Sequence, residues 1–348
     1  MIIFIILVII LVAFLSMLEE YIGKRYKMGA YVCVGIMLIL IASFRVVGND
    51  NDSESYESYF LDYDNPWMVF SVEYSFRLFS KVINLFTDNV HVLFFVYALI
   101  GVVVKLMAIR QLSEFVFLSL FTYLCHFFIL HDMTQIRASV AAAFFLLSIK
   151  PLCEGRKRTA FLIMCVSVFF HYSALVIMPL LFFSNKELGC KWRYVLAAVV
   201  PIGYLVYFMG IDLLTAIPLP YIGDKLEIYR ELKEYGRFEE ILVFKNPILL
   251  MKITVFYLLI IFYDIVYEYN KNLPLLLKIM GISLGCFFMF ASLPVLSGRL
   301  YELFGVVDII LIPNVIYIFK PRYISKIFVF AIGLISFFMD VFVYELII

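Results

Sequence analysis

The chain opens with IIFIILVIILVAFLSML at residues 2–18, an apolar run that decides the fold class. Similar runs recur to the end of the chain, each roughly long enough to cross a ~30 Å hydrocarbon core as an α-helix. We predict about ten spans of this kind, near residues 2–18, 30–47, 90–108, 114–130, 135–150, 194–210, 247–263, 275–293, 303–319 and 327–344. The first run lacks a basic n-region and a cleavage site, so it is expected to be a retained helix.

The composition excludes a water-soluble globular protein. Hydrophobic residues make up 64% of the 348 positions and charged residues 16%, and the mean hydropathy is +1.00. The six cysteines form no C-x-x-C pair, which indicates neither a metal site nor a disulfide framework. We therefore predict an all-α polytopic membrane protein with about 10–12 transmembrane or re-entrant helices in one integral-membrane domain over residues 1–348.

The distribution of basic residues predicts the topology. Lys24, Arg25 and Lys27 follow the first span, whereas residues 46–76 carry seven acids and no Lys or Arg. Because cytoplasmic loops are enriched in Lys and Arg, the first loop is predicted to be cytoplasmic and the next one external. This assignment gives two longer external, periplasmic loops, at about 48–89 and 211–246.

The segment 159–184 fits no simple crossing, because basic residues at both of its ends are predicted to be cytoplasmic. One interpretation is a re-entrant hairpin that breaks at FHYS, residues 170–173, which would place His171 near the middle of the membrane. The alternative is one straight helix together with an error elsewhere in the span count.

Ionisable residues collect at the predicted external side. Arg45, Arg137 and Arg299 together would suit a diphosphate, because guanidinium forks match phosphate oxygens. Asp132 or His171 in the same layer could act as general base toward a hydroxyl nucleophile. The competing interpretation is structural, with Arg45 and Arg137 snorkelling or paired with Asp50 and Asp132, and His171 a satisfied core histidine.

Several short motifs lie between or at the ends of the apolar runs: RVVGND at 45–50 followed by Tyr56, EYSF at 73–76, DMTQIR at 132–137 with Ala141, FHYSA at 170–174, and GRLY at 298–301. In these motifs the chain resembles the EpsG-like branch of the Wzy-type polysaccharide polymerases, which act in O-antigen, capsule and exopolysaccharide assembly. Their order and spacing within the hydrophobic frame match as well. One departure is Ala138, where the family usually has Gln, although Gln135 could substitute for it.

The resemblance implies a reaction at the periplasmic face of the bacterial inner membrane. A growing chain would leave its undecaprenyl diphosphate and join the non-reducing end of a new lipid-linked repeat unit, without a cofactor, metal or nucleotide sugar. Arg137, Arg299 and Arg45 would then bind the diphosphate, and His171 or Asp132 would assist deprotonation. The acceptor sugar would contact Asp50, Glu73, Tyr56 and Gln135.

The same resemblance implies which partners to expect. These are the lipid-linked oligosaccharide, the bilayer and, as a further candidate, a chain-length-determining co-polymerase; nucleic acid is not expected.

Two rival functions stay open. One is a multi-spanning glycosyltransferase that uses polyprenyl phosphate, with Asp50 and Asp52 holding a divalent ion, and the other is a flippase or transporter of lipid-linked sugar.

Overall fold

A computed structural model describes residues 1–65, 72–210, 246–291 and 293–347. Regular structure in these ranges is helical, apart from one isolated β-bridge between Asp50 and Ile347. This confirms the all-α polytopic class. The predicted loop at 211–246 lies outside the described residues, except for residue 246.

The chain divides into two compact units, Met1–Asn185 with Ile312–Ile348, and Lys186–Leu311. The single integral-membrane domain expected over 1–348 stays a prediction.

The first unit contains most of the long helices. In chain order they are α1 (Ile2–Leu18), α2 (Lys24–Ser43), α3 (Ser53–Leu61), α4 (Tyr74–Asn84), α5 (Val90–Leu112), α6 (Val116–Thr122), α7 (Ile136–Cys153) and α8 (Lys157–Phe170). A π-helix, Tyr123–Thr134, continues α6, and a 3₁₀-helix, Tyr172–Phe182, follows α8. The core forms where α7 packs against α5 and α8, and where α2 packs against α5.

The second unit contains α9 (Cys190–Phe208), α10 (Pro247–Ile261), α11 (Tyr263–Tyr269), α12 (Leu273–Met289), α13 (Pro294–Gly305) and α14 (Asp308–Leu311). The helix α12 packs against α9 and α13. After this unit the chain returns to the first one with a 3₁₀-helix, Pro313–Tyr317, and α15 (Arg322–Phe338), which a π-helix, Met339–Val343, extends.

Within the described ranges, five helical stretches are long and apolar enough to cross a membrane. They are Lys24–Ser43, Val90–Leu112, Val116–Thr134, Ile136–Cys153 and Arg322–Val343. A sixth candidate is the pair α10 and α11, which is bent by 85°. Several other predicted spans, including 2–18 and 275–293, correspond to shorter apolar helices.

The predicted span 303–319 is wrong as a single helix. It is interrupted at residues 306–307 and again before Pro313. Pro313 has no backbone N–H to donate, so it removes one hydrogen bond from the helix at the second of these interruptions. Hydropathy averaged over the segment concealed these breaks.

The break predicted at residues 170–173 is confirmed. Helix α8 ends at Phe170, and His171 is extended, with φ −152° and ψ 114°. The 3₁₀-helix then runs back beside α8, since Phe161 and Phe182, which lie far from the break on opposite arms, line the same apolar groove. The depth of this hairpin in the bilayer stays a prediction.

Close packing between α5 and α7 depends on Gly101. A Cβ atom at this position would lie 2.9 Å from Asp132 Oδ1 and 2.9 Å from Ser139 Oγ. These two oxygens are hydrogen-bonded to each other at 2.7 Å, so neither can move aside without weakening that bond.

We therefore expect Gly101→Ala to destabilise the protein by about 1–3 kcal/mol through overpacking. The measurement is the Tm of the detergent-purified protein. The matched control is Gly29→Ala, at a helical glycine with open space around it, which should leave the Tm unchanged or raise it, since Ala favours helix. Equal Tm values for the two variants would contradict this account of the packing.

Candidate functional site

One carboxylate, Glu73, joins two residues that are remote in the sequence. Its Oε1 lies 2.6 Å from His171 Nδ1, and its Oε2 accepts a hydrogen bond from Arg137 Nη1. Glu73 lies immediately before α4, Arg137 lies in the first turn of α7, and His171 follows α8. Three separate segments thus contribute to one cluster, Glu73–Arg137–His171.

The antiparallel packing of α7 and α8 brings Arg137 and His171 to the same end of the helix pair. The Ser167 hydroxyl donates to the Ala141 carbonyl at 2.7 Å, which fixes the antiparallel register of the two helices. The beginning of α7 and the end of α8 therefore meet at the same end of the pair. The hydroxyl of Tyr172 also accepts the backbone N–H of Tyr74 at 3.1 Å, which holds the start of α4 beside the helix break.

The contact with Glu73 orients the imidazole of His171. A neutral ring that donates its Nδ1–H to the carboxylate keeps a lone pair on Nε2. The side chain of His171 is 17% exposed, so a substrate could reach its imidazole ring. The pair has the arrangement of a general base with its orienting carboxylate.

Arg137 completes the cluster from the other side of Glu73. Its guanidinium carbon lies 5.4 Å from the ring centre of Tyr56 and 5.8 Å from that of Phe76. Its Nε has no hydrogen-bond partner among the described residues, and the side chain is 20% exposed. Tyr56 is buried beneath it, and burial raises the pKa of its hydroxyl to about 12 although Arg137 opposes this shift.

Glu73 is held as a carboxylate. Burial alone would raise its pKa, but the hydrogen bond with His171 and the charge of Arg137 outweigh burial and lower the pKa below its ordinary value. The cluster thus combines a fixed negative charge, a fixed positive charge and an imidazole that can accept a proton.

Asp132 lies in a different, fully buried network. Its Oδ2 accepts from Lys105 Nζ at 2.6 Å and from the Tyr123 hydroxyl at 2.7 Å, while Oδ1 accepts from the Ser139 hydroxyl at 2.7 Å. The side chains of Lys105 and Asp132 are both 0% exposed. These contacts favour a structural role for Asp132; its assignment as a base stays a prediction from the sequence.

Arg45 and Asp50 form a second closed pair. Arg45 Nε lies 3.2 Å from Asp50 Oδ2, its Nη1 donates to the backbone carbonyl of Asp132 at 3.1 Å, and its guanidinium lies 3.8 Å from the ring centre of Phe94. Both charged side chains are 0% exposed. No face of this guanidinium is open to an anion, which favours the structural interpretation.

Asp50, the first acid of the D-x-D motif at residues 50–52, also forms hydrogen bonds with the backbone that follows it. Asp50 Oδ1 accepts the backbone N–H groups of Asp52 and Ser53 at 3.1 and 2.9 Å, at the start of α3. These contacts give Asp50 a structural role at the start of α3.

Two predicted site residues, Gln135 and Arg299, are not among the residues that Glu73 joins in the part of the chain that the structure describes. Gln135 separates the π-helix from α7, and its backbone carbonyl accepts from the N–H of Ser139 at 2.8 Å. Arg299 is exposed on α13, in the second unit. The convergence of Arg45, Arg137 and Arg299 therefore stays a prediction.

Lys105 was missed by the sequence reasoning, although a signal for it exists. It lies inside the apolar run of α5, where a charged residue requires a partner. Lys252 in the second unit gives the same signal, and it pairs with Asp308 at 2.7 Å over the ring of Tyr301.

Comparison with known families decides the broader identity. The profile of the EpsG family matches residues 28–347. The chain belongs to the EpsG family. No curated protein and no solved structure matches it. Membership in this family, together with the apolar helices, makes it a multi-pass membrane protein related to polysaccharide biosynthesis.

The structural role of the buried pair Lys105–Asp132 can be tested in this EpsG-family protein. Lys105→Met should strongly lower the Tm, because it leaves a buried carboxylate without its counterion, at a cost of about 3–5 kcal/mol. The double variant Lys105→Met/Asp132→Asn should recover much of that loss. A double variant as unstable as Lys105→Met would contradict the structural role.

The lowered pKa of Glu73 gives a further prediction, which concerns the pH dependence of stability. A carboxyl whose pKa is lowered by folding stabilises the protein above its unfolded pKa of about 4.3, and this stability is lost as the pH falls through the folded pKa. The difference in Tm between the wild type and Glu73→Gln should therefore be largest near neutral pH and shrink below about pH 4. Glu54→Gln, at an exposed acid in the first turn of α3, is the control and should show little difference at either pH. A difference for Glu73→Gln that does not vary with pH would contradict the assignment.

Proposed function

We propose that this EpsG-family protein is a polysaccharide polymerase that joins oligosaccharide repeat units carried on undecaprenyl diphosphate. The observation that carries the proposal is the contact of Glu73 with both Arg137 and His171. It places an oriented imidazole beside a cation in a partly exposed cluster, and both groups are needed when a hydroxyl displaces a diphosphate.

The reaction can be written with the residues of this cluster. A hydroxyl at the non-reducing end of the acceptor attacks the anomeric carbon of the donor chain, and its proton passes to Nε2 of His171. The bond between the anomeric carbon and the diphosphate oxygen breaks, and the electron pair leaves with the diphosphate. Arg137 stabilises the charge that develops there, because its guanidinium remains protonated and matches phosphate geometry.

Glu73 serves as the positioning residue. It orients His171 through Nδ1 and holds Arg137 at the same level. Tyr56 and Phe76 form an aromatic surface beside Arg137, and such surfaces suit the apolar faces of sugar rings. Arg299 is retained as a further candidate for diphosphate binding, whereas Arg45 and Asp132 are assigned to support of the fold.

The proposed site faces the external side of the bacterial inner membrane. The basic residues Lys150, Arg156, Lys157 and Arg158 lie at the opposite end of α7 and α8. Since such clusters mark cytoplasmic loops, the end with Arg137 and His171 is assigned to the external side, where lipid-linked repeats would be joined.

The test uses a deletion strain complemented with variants, with the length of the surface polysaccharide as the readout. His171→Ala should lower polymerisation about 100-fold or more, which is the usual contribution of a general base, and Arg137→Ala should abolish long chains. In both strains single capped repeat units should accumulate. Glu73→Gln should lower polymerisation less than His171→Ala, because Gln can still accept from Nδ1.

Matched controls separate chemistry from folding. Arg156→Ala removes an arginine that is paired with an exposed acid, Glu154, and His91→Ala removes a histidine whose Nδ1 contacts the backbone carbonyl of Ser43 at 3.0 Å, so that no buried carboxylate is left without a partner. Both should keep long chains, with all variants present at equal abundance in the membrane. Normal long chains from Arg137→Ala would remove it from the mechanism, and loss of all surface sugar in the deletion strain would favour a flippase instead.

A further inference from the structure

A small pocket lined by basic residues lies at the start of α2. By the predicted topology it is on the cytoplasmic side of the membrane, whereas the cluster Glu73–Arg137–His171 is on the external side. The pocket is lined by Lys24, Lys27, Met28, Tyr31, Arg110 and Val116. Lys24 and Lys27 come from α2, and Arg110 comes from the last turn of α5. Cations from two different helices therefore surround one space.

Most of the positive charge at this pocket is uncompensated. Lys24 and Arg110 are exposed, and neither has an ion-pair partner among the described residues. Lys27 pairs with Glu19 at 2.7 Å, and Glu19 also accepts the backbone N–H of Phe117. Of these three cations, only Lys27 is paired with a carboxylate within the described part of the chain, which leaves a net positive charge at the pocket.

Local helix geometry increases this positive potential. The first turn of α2 contains basic residues and no acid, and its N-cap, Gly23, provides no side-chain hydrogen bond. Unpaired N–H groups at a helix N-terminus carry partial positive charge, so cations there are unfavourable unless an anion is bound nearby. The start of α2 therefore adds to the attraction that Lys24, Lys27 and Arg110 exert on an anion.

The remaining walls are suited to an amphiphile. Met28 and Val116 are apolar, and the hydroxyl of Tyr31 donates to the carbonyl of Leu106 at 3.0 Å, so it is already satisfied within the protein. The charges lie on the side where the basic residues predict the cytoplasm. The leaflet on that side carries anionic lipids, and basic pockets between helices bind their head groups.

We propose that this pocket binds the phosphate head group of an anionic phospholipid from the cytoplasmic leaflet. Lys24 and Arg110 contact the phosphate from two sides, and Met28 and Val116 contact the first methylenes of the acyl chains. The bound lipid connects α2 to α5 and offsets the repulsion among the basic residues. The site is distinct from the proposed polymerase cluster and does not depend on it.

The test measures lipid retention by the full chain and requires no catalytic activity. The protein is reconstituted in nanodiscs of phosphatidylcholine with phosphatidylglycerol, released into detergent, and examined by native mass spectrometry. Wild type should retain phosphatidylglycerol in preference to phosphatidylcholine. Lys24→Gln/Arg110→Gln should lower its affinity for phosphatidylglycerol about tenfold or more, since each basic residue near an anionic lipid contributes to binding.

A matched variant controls for general surface charge. Arg156→Gln/Arg158→Gln removes two exposed cations from the same predicted side of the membrane, outside the pocket, and should retain phosphatidylglycerol as wild type does. Equal loss in the two double variants, or none in Lys24→Gln/Arg110→Gln, would overturn the proposal. A further arm adds inorganic phosphate at millimolar concentration, and displacement of phosphatidylglycerol would indicate a site for soluble anions rather than lipid.

Discussion

The cost of removing a charge from water organises the interior of the first unit. An ionised side chain at the centre of a bilayer costs roughly 2.5–3.5 kcal/mol on insertion scales, and a buried charge without a counterion costs more than a paired one. The contacts meet this constraint through Lys105 with Asp132 and Arg45 with Asp50. Tyr123 and Ser139 donate two further hydrogen bonds to Asp132. These polar contacts fix how α2, α5, the π-helix and α7 pack.

The same constraint separates supporting charges from those available for chemistry. The side chains of Arg45, Asp50, Lys105 and Asp132 are fully buried and paired, whereas His171 and Arg137 remain partly exposed on either side of Glu73. A buried ion pair is committed to the fold, because moving either partner would leave the other unpaired. A partly exposed cluster can exchange water for a substrate. This difference in exposure is the reason for assigning chemistry to the cluster Glu73–Arg137–His171.

Helix breaks place the groups of that cluster. His171 is available because α8 ends at Phe170 and the chain turns back as a 3₁₀-helix. A single continuous helix across the membrane would have placed the basic residues at the two ends of this segment on opposite sides, although both sets are predicted to be cytoplasmic. Irregular backbone is tolerated at membrane depth where protein surrounds it, and here α4 and α7 provide the neighbours through Tyr74, Glu73 and Arg137.

The sequence alone determined the class of the protein and indicated its family, because hydropathy and short motifs are local along the chain. It gave the break at His171 as one of two interpretations, and the structure decided between them. The sequence also selected Glu73, Arg137 and His171 as candidates, but without showing that they meet. Only the tertiary structure joined them, since a contact across 98 residues leaves no periodic signal. The pairing of Arg45 with Asp50 was one of the alternatives that the sequence left open, and the structure selected it. Asp132 pairs with Lys105 instead of with Arg137. Burial and pairing decide what a charged side chain can do, and both are properties of the packed helices.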